Sequence, residues 1–283
     1  MKLKLILSFI FLFLGIYKST SQQIKVKSDS ARALTVWQMV KYDANNTVKS
    51  VGHAFTRPLH WKGDDFKKFG ILVGSTTLLS LSDRSVREFS QNQPNFPKVV
   101  RDFGWYFGSP QNYFIANAGL YGFGLFTKNE KVRKTSVLII SASITTGLIQ
   151  SFTKNAVGRA RPGRDEGPYT FKPFQNDVGY SSFPSGHTIL SMTMAHSIAK
   201  QFENPWIKVG IYSIGAIPPI SRLIDDAHYF TDIFFSTALS IIVVDAIDKF
   251  LFESKAYDYP QKEKTISWNL RFSTNQIGFV GTF

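Results

Sequence analysis

The chain has 283 residues, room for one large domain or two small ones, and a formal net charge of +13. That excess points to anionic partners (phosphorylated substrates, anionic lipid surfaces or nucleic acid), while 26 Phe and 15% aromatic residues speak against disorder. The absence of Cys excludes disulfides and thiol chemistry and says nothing of compartment.

The chain opens Met1-Lys2-Leu3-Lys4, continues with an apolar run over 5–17, and reaches Ser19-Thr20-Ser21 before Gln22. A basic start, a short apolar core and a small-residue site predict a secretory signal peptide over 1–21. A retained membrane anchor is the alternative, although the run is short for a span. Export argues against nucleic acid as the partner. Residues 22–68 form a polar extension, with a short amphipathic helix expected over 30–42 from Leu34, Trp37 and Val40.

Six apolar segments follow, 69–82, 103–127, 135–153, 187–199, 209–221 and 233–244, all without Lys, Arg, Asp or Glu. Their lengths predict helices, so residues 69–252 read as an all-α, six-helix bundle. Segments 103–127 and 135–153 are long enough to span a bilayer, whereas a mean hydropathy of −0.07 is low for a fully embedded chain. Residues 154–184, rich in Gly and Pro with Tyr169, Phe171, Phe174 and Tyr180 interleaved, predict a functional loop. In the tail, 253–283, Trp268, Leu270 and Phe272 and then Ile277 and Phe279 alternate with other residues, which predicts a β-hairpin.

Three clusters carry chemistry: Lys154 to Arg161-Pro162, then Pro184-Ser185-Gly186-His187, then Ser221-Arg222 to His228 and Asp232. Each lies at a helix end, and alternating antiparallel helices would gather all three at one end of the bundle. Lys154, Arg161 and Arg222 supply cations and donors suited to phosphate oxygens. Ser185 and Gly186 precede a helix, whose N–H groups and dipole favour an anion. His228 and Asp232, four apart, share a helix face, so the carboxylate can hold one ring nitrogen and leave the other free as a nucleophile. His187 remains as general acid. Three cations standing where a metal would stand imply no metal and no other cofactor.

These clusters resemble the signature motifs of the type 2 phosphatidic acid phosphatase family, related to class A acid phosphatases and vanadium-dependent haloperoxidases. The pattern is Lys, six residues, Arg-Pro; Pro-Ser-Gly-His; and Ser-Arg, five residues, His, three residues, Asp, with every position filled in order. The resemblance covers roughly residues 103–245. It implies a six-helix bundle, in membrane-spanning or soluble form. It further implies phosphate held by Lys154, Arg161, Ser185, Gly186 and Arg222, a phosphohistidine on His228 oriented by Asp232, and a leaving group protonated by His187.

Other residues have plainer readings. Asp225 and Asp226 are expected to cap the helix carrying His228, His196 to be a satisfied buried histidine, and Arg159 and Arg164 to be secondary phosphate ligands; His53 and His60 receive no role. The expected activity is hydrolysis of a lipid phosphate, as monoester or pyrophosphate. The rivals are a soluble periplasmic acid phosphatase acting on small phosphoesters, a vanadium-dependent haloperoxidase and a non-enzymatic phospholipid binder. The expected place is the bacterial envelope, in the inner membrane with the pocket facing the periplasm, or soluble in the periplasm. The first placement drops 69–82 as a span and leaves Lys128, Lys131, Arg133 and Lys134 inside, as the positive-inside rule prefers. The sequence carries no signal of oligomeric state.

Overall fold

The computed structural model describes residues 35–253, 257, 267–273 and 276–282. The signal-peptide reading of 1–21 lies outside these residues. The chain divides into two units, Leu34–Tyr259 and a second made of Met1–Ala33 with Pro260–Phe283. In the second, strands β1 (Ser267–Ser273) and β2 (Gln276–Thr282) pair antiparallel, with Ser273 opposite Gln276 and Ser267 opposite Thr282.

The first unit is helical. Helix α1 (Val36–Thr56) starts at a capping box, in which Gln38 N–H donates to Thr35 Oγ1 at 3.2 Å and Thr35 N–H to Gln38 Oε1 at 2.8 Å. It runs well beyond the short helix expected there. Its inner face is largely polar, with Asp43, Asn46 and Ser50 buried beside Met39, so apolar periodicity does not reveal it. Asp43 meets Arg133 at 3.1 Å and accepts from Tyr121 at 2.8 Å. That pairing takes Arg133 out of the set of free cations expected in the 128–134 connection.

Helix α2 (Gly63–Leu79) leads through a 3-10 turn into α3 (Asp83–Gln91), a polar helix that apolar segments do not announce. Segment 103–127 is not one helix. It divides into α4 (Lys98–Gly108) and α5 (Pro110–Phe126) at Ser109, whose backbone is extended ahead of Pro110. Proline has no N–H to continue the ladder and pushes the preceding residue out of the helical region. Helix α6 (Glu130–Val157) and helix α7 (Gly186–Ala199) follow the prediction closely. Segment 209–221 is divided at Ala216 into α8 (Pro205–Gly215) and α9 (Ile217–Ile224), the latter opening with Pro218-Pro219. Helix α10 (Phe230–Asp248) ends in a π turn over Lys249–Glu253. The bundle thus holds more helices than the six expected.

Helix α6 is the central one, packed against α1, α5, α7 and α10. Its Val137, Leu138 and Ala142 join Ile189 of α7 and Leu239, Val243, Val244 and Ile247 of α10 in the main core, while Ile139 meets Tyr113, Leu190 and Met194. Buried Thr145 and Thr146 donate to carbonyls one turn back at 2.9 and 2.7 Å, so these small polar residues are satisfied inside α6 and let neighbours approach.

The C-terminal end of α6, the start of α7 and the α9–α10 junction meet at one end of the bundle. The other end is tied by Lys131 Nζ donating to Gln201 O at 2.7 Å and Lys200 Nζ to Asp245 at 2.7 Å. His196 lies there as a satisfied histidine between Tyr212 Oη (2.6 Å) and Asp245 (3.0 Å). Helix α2 is no core helix, since Leu72 alone of its residues is buried while Phe66, Phe69, Ile71 and Leu78 are exposed. Exposed Ile115, Phe126, Leu148, Phe152 and Trp206 continue this apolar exterior on other helices. Glu130–Val157 and Phe230–Glu253 are long and apolar enough to cross a membrane, though about half of each apolar window is buried in the bundle.

Candidate active site

Lys154 sits in the last turn of α6. The helix stops at Gly158, which is left-handed (φ 59°) and donates its N–H to Lys154 O at 2.9 Å. A Cβ there would lie 2.0 Å from Lys172 O, so the loop closes on glycine alone. The loop is braced rather than open. Ala160 N–H donates to Thr170 O at 2.9 Å, Arg161 N–H to Gly179 O at 2.8 Å, and Ser182 N–H to Arg159 O at 3.0 Å. This turns Arg161 toward Lys154. Among the described residues its guanidinium makes only long bonds, to Val178 O, Ala227 O and Ser181 Oγ at 3.2 to 3.4 Å, and Lys154 Nζ donates to Ser181 O.

Arg222 comes from α9, where it donates to Asp225, and Asp225 is gripped from α4 by Arg101 at 2.6 and 2.8 Å. Asp226, left-handed at φ 54°, accepts two bonds from Arg87 of α3 at 2.8 and 2.7 Å. Neither aspartate caps the helix after His228, contrary to the expectation from sequence. Asp232 does so through Tyr229 N–H (2.9 Å), together with Asp83 through Thr231 N–H (2.9 Å).

Lys154, Arg161, Gly186, His187, Arg222 and His228 all line one cavity of about 580 Å³. Ser185 does not line it. Its N–H is spent on Ser236 Oγ at 2.8 Å, so Gly186 and not Ser185 presents the α7 N-terminus. Asp232 lies behind His228, with Oδ2 3.5 Å from Nδ1, beyond hydrogen-bond length. That oxygen already accepts from Ser182 Oγ (2.6 Å) and Tyr229 N–H (2.9 Å). His228 Nδ1 and His187 Nε2 are buried with no hydrogen-bond partner among the described residues. Arg159 and Arg164 are not phosphate ligands. Arg159 is buried against Asp83 and Asp232 at 2.6 and 2.7 Å, and Arg164 pairs with Glu166 and Asp177 on the outer loop.

Burial drives the His228 pKa down to about 4 against the pull of Asp232, so its imidazole is neutral at pH 7. Burial and then the field of Arg222, His228, Arg161 and Lys154 push His187 down to about 4 as well. An anion bound among those cations would oppose that field and raise the His187 pKa, while the larger effect of burial would remain. The cavity is also lined by the apolar Pro110, Phe114, Ile144, Leu148 and Leu190 and by the polar Ser143, Ser151 and Ser181, with Gln150 beside Gly186. Among the described residues, no three His, Asp or Glu side chains gather as metal ligands.

Two glycines of α4 complete the site unannounced by the motifs. A Cβ at Gly108 would meet His187 Cδ2 at 2.6 Å, and one at Gly104 would meet Ser221 Oγ at 2.4 Å. Their spacing of four puts them on one helix face, the one available clue in the sequence.

Residues 135–254 match the family model of the PAP2 superfamily. Curated relatives named lipid A 1-phosphatase are 30% identical over 97 residues in Rhizobium etli (34% of this chain, 41% of the relative) and 32% over 92 residues in Rhizobium johnstonii (32% and 37%). A third, from Porphyromonas gingivalis, is 25% identical over 146 residues (45% and 33%). The chain therefore spans less than half the length of these relatives. Among solved structures, Aquifex aeolicus LpxE has 20% identity, covering 59% of this chain and 94% of that one, with a TM-score of 0.44. The transmembrane PAP2-type phosphatidylglycerolphosphate phosphatase of Bacillus subtilis has 15% identity, covering 69% and 96%, with a TM-score of 0.48.

Proposed function

We propose that this chain, whose residues 135–254 match the PAP2 superfamily, is a metal-independent phosphatase that removes phosphate from a lipid through a phosphohistidine on His228. One observation carries the reading: three cations, two imidazoles and the apolar side chains of Pro110, Phe114, Ile144, Leu148 and Leu190 line a single cavity. The cations and imidazoles fit a phosphoryl group and the apolar side chains fit the lipid that bears it. The names of the relatives support a glycolipid phosphate such as lipid A.

The steps follow from the chemistry of the groups. Lys154, Arg161 and Arg222 neutralise the phosphoryl oxygens, helped by the first turn of α7 at Gly186. Neutral His228 attacks phosphorus through Nε2, since Nδ1 faces Asp232. The bond to the leaving oxygen breaks as His187, protonated in the presence of the substrate's charge, gives that oxygen its proton. Water then yields a proton to His187 and attacks phosphorus, and the phosphorus–nitrogen bond breaks to free phosphate. Asp232 stabilises the positive charge that His228 carries while bonded to phosphorus.

The enzyme would work at a membrane, with its pocket on the periplasmic face. The test is phosphate release from phosphatidic acid, phosphatidylglycerol phosphate, undecaprenyl pyrophosphate, lipid A and p-nitrophenyl phosphate, by the wild type and by His228→Ala. At least one lipid should be hydrolysed, with an alkali-stable, acid-labile phosphoenzyme on quenching, and the variant should be inert. Near-normal turnover by His228→Ala would sink the mechanism.

A further inference from the structure

Asp83 stands outside all three motifs and outside the matched segment, yet it is as deeply buried as Asp232, both at 0% side-chain exposure. The two carboxylates share one guanidinium. Arg159 gives Nη1 to Asp232 Oδ1 at 2.7 Å and Nη2 to Asp83 Oδ2 at 2.6 Å. Pro168 O takes further bonds from the same group, and the Tyr229 ring lies 4.4 Å beneath it. Thr231 closes the trio, donating its N–H and hydroxyl to Asp83 at 2.9 and 2.6 Å and accepting from Arg159 at 2.8 Å.

The charges matter as much as the bonds. Arg159 alone would cancel the negative charge of Asp232, the one carboxylate among the described residues that faces His228. The charged groups that act against protonation of His228 are Lys154 of α6 and Arg161 of the loop, and Arg222 of α9 and His187 of α7 line the same cavity. A second carboxylate on the far side of Arg159 returns the buried trio to one net negative charge.

We propose that Asp83 is a positioning residue for phosphoryl transfer: by holding Arg159 from behind, it fixes the Asp232 carboxylate and preserves its charge against His228. The proposal rests on the phosphohistidine reading. It extends the working site to α3, whose residues no motif reaches.

The test is a charge cycle read as the acidic limb of kcat/KM, with p-nitrophenyl phosphate and a lipid phosphate as substrates. Asp83→Asn makes the trio neutral, so His228 protonates less readily and the limb moves to lower pH by roughly one unit. Its kcat should fall roughly tenfold or more with KM little changed, because Lys154, Arg161 and Arg222 are untouched. Arg159→Gln leaves two negative charges and moves the limb to higher pH. The double variant restores one negative charge and brings the limb back to the wild-type position. If Asp83→Asn does not fold, Arg159→Gln against the double variant reads the same difference. A limb that stays in place in every folded variant overturns the proposal, even with kcat lost, because a purely structural Asp83 predicts that result. An inert His228→Ala beside an unmoved limb removes this inference alone, whereas an active His228→Ala removes the phosphohistidine reading beneath it.

Discussion

Replacing Gly108 by Ala tests the assignment of His187 without touching an ionisable group. The new Cβ would lie 2.6 Å from His187 Cδ2 and 2.8 Å from its Cβ. To reach ordinary contact the ring must retreat by about 0.8 Å, since the repulsive wall of carbon–carbon contact is steep. A displacement approaching 1 Å at a proton donor costs roughly 10- to 100-fold in rate. Gly108 is helical, so Ala brings about 0.5–1 kcal/mol of helix propensity against overpacking of about 1–3 kcal/mol, and the fold should survive. The assay compares two leaving groups. A lipid phosphate leaves as an alkoxide and needs the proton, whereas p-nitrophenolate leaves without it. Turnover of the lipid phosphate should fall by the full factor while p-nitrophenyl phosphate hydrolysis changes little. Equal losses on both substrates, or none on either, would refute the role given to His187. Gly104→Ala is the contrast, because its Cβ strikes Ser221 beside Arg222 and should raise KM for both.

Burial of His228 to a pKa of about 4 means the neutral nucleophile persists well below the ordinary imidazole value of 6.5. At pH 5.5 an unperturbed histidine would cost about tenfold in kcat/KM; no such drop is expected for this enzyme, and a limb near 6.5 would contradict the burial argument. Activity should survive EDTA and be inhibited by vanadate, a mimic of the five-coordinate transition state; loss in EDTA restored by Mg²⁺ or Zn²⁺ would remove the metal-free claim. The apolar exterior predicts that the protein stays in the membrane pellet after carbonate extraction, and release to the supernatant would leave only a surface-bound bundle.

The three clusters were legible because their chemistry is local: a residue type at a fixed offset along one helix or turn, as in His228 and Asp232. Ser185 shows the limit of that logic, since it sits where an anion-binding N–H is expected but Ser236, 51 residues away, claims it. Arg159 and Arg161 differ in sequence by one neighbour and in the fold by everything: one is sealed against two carboxylates, the other lines the cavity. The spacing from Lys154 singles out Arg161 but says nothing of what Arg159 meets, because Asp83 lies 76 residues upstream. The apolar run 103–127 hid a break whose signal, Ser109-Pro110, was visible but outweighed by hydropathy. Helices α1 and α3 were missed or shortened because their inward faces carry Asp43, Asn46 and Asp83, which pair inside the bundle rather than face water.

The direction of α2 constrains how the chain can be threaded through an envelope. Its start follows α1, whose His53 ring stacks on Phe250 at 4.4 Å at the end opposite the pocket, and the turn after it delivers Asp83 to Thr231, at the pocket end of the bundle. Residues 57–62 and the pocket therefore lie on opposite sides of any bilayer that α2 crosses. An exported leader at 1–21 would put residues 57–62 outside. A leader, a membrane-crossing α2 and an outward-facing pocket are thus three properties of which any two exclude the third. Lys128, Lys131 and Lys200 cluster at the end away from the pocket, which favours an outward pocket by the positive-inside rule. The choice then falls between leader and crossing. Because the chain has no native Cys, a Leu59→Cys variant labelled by an impermeant maleimide would read it directly: a labelled thiol means that the exposed face of α2 lies along the membrane surface, and a protected one that α2 is the first span.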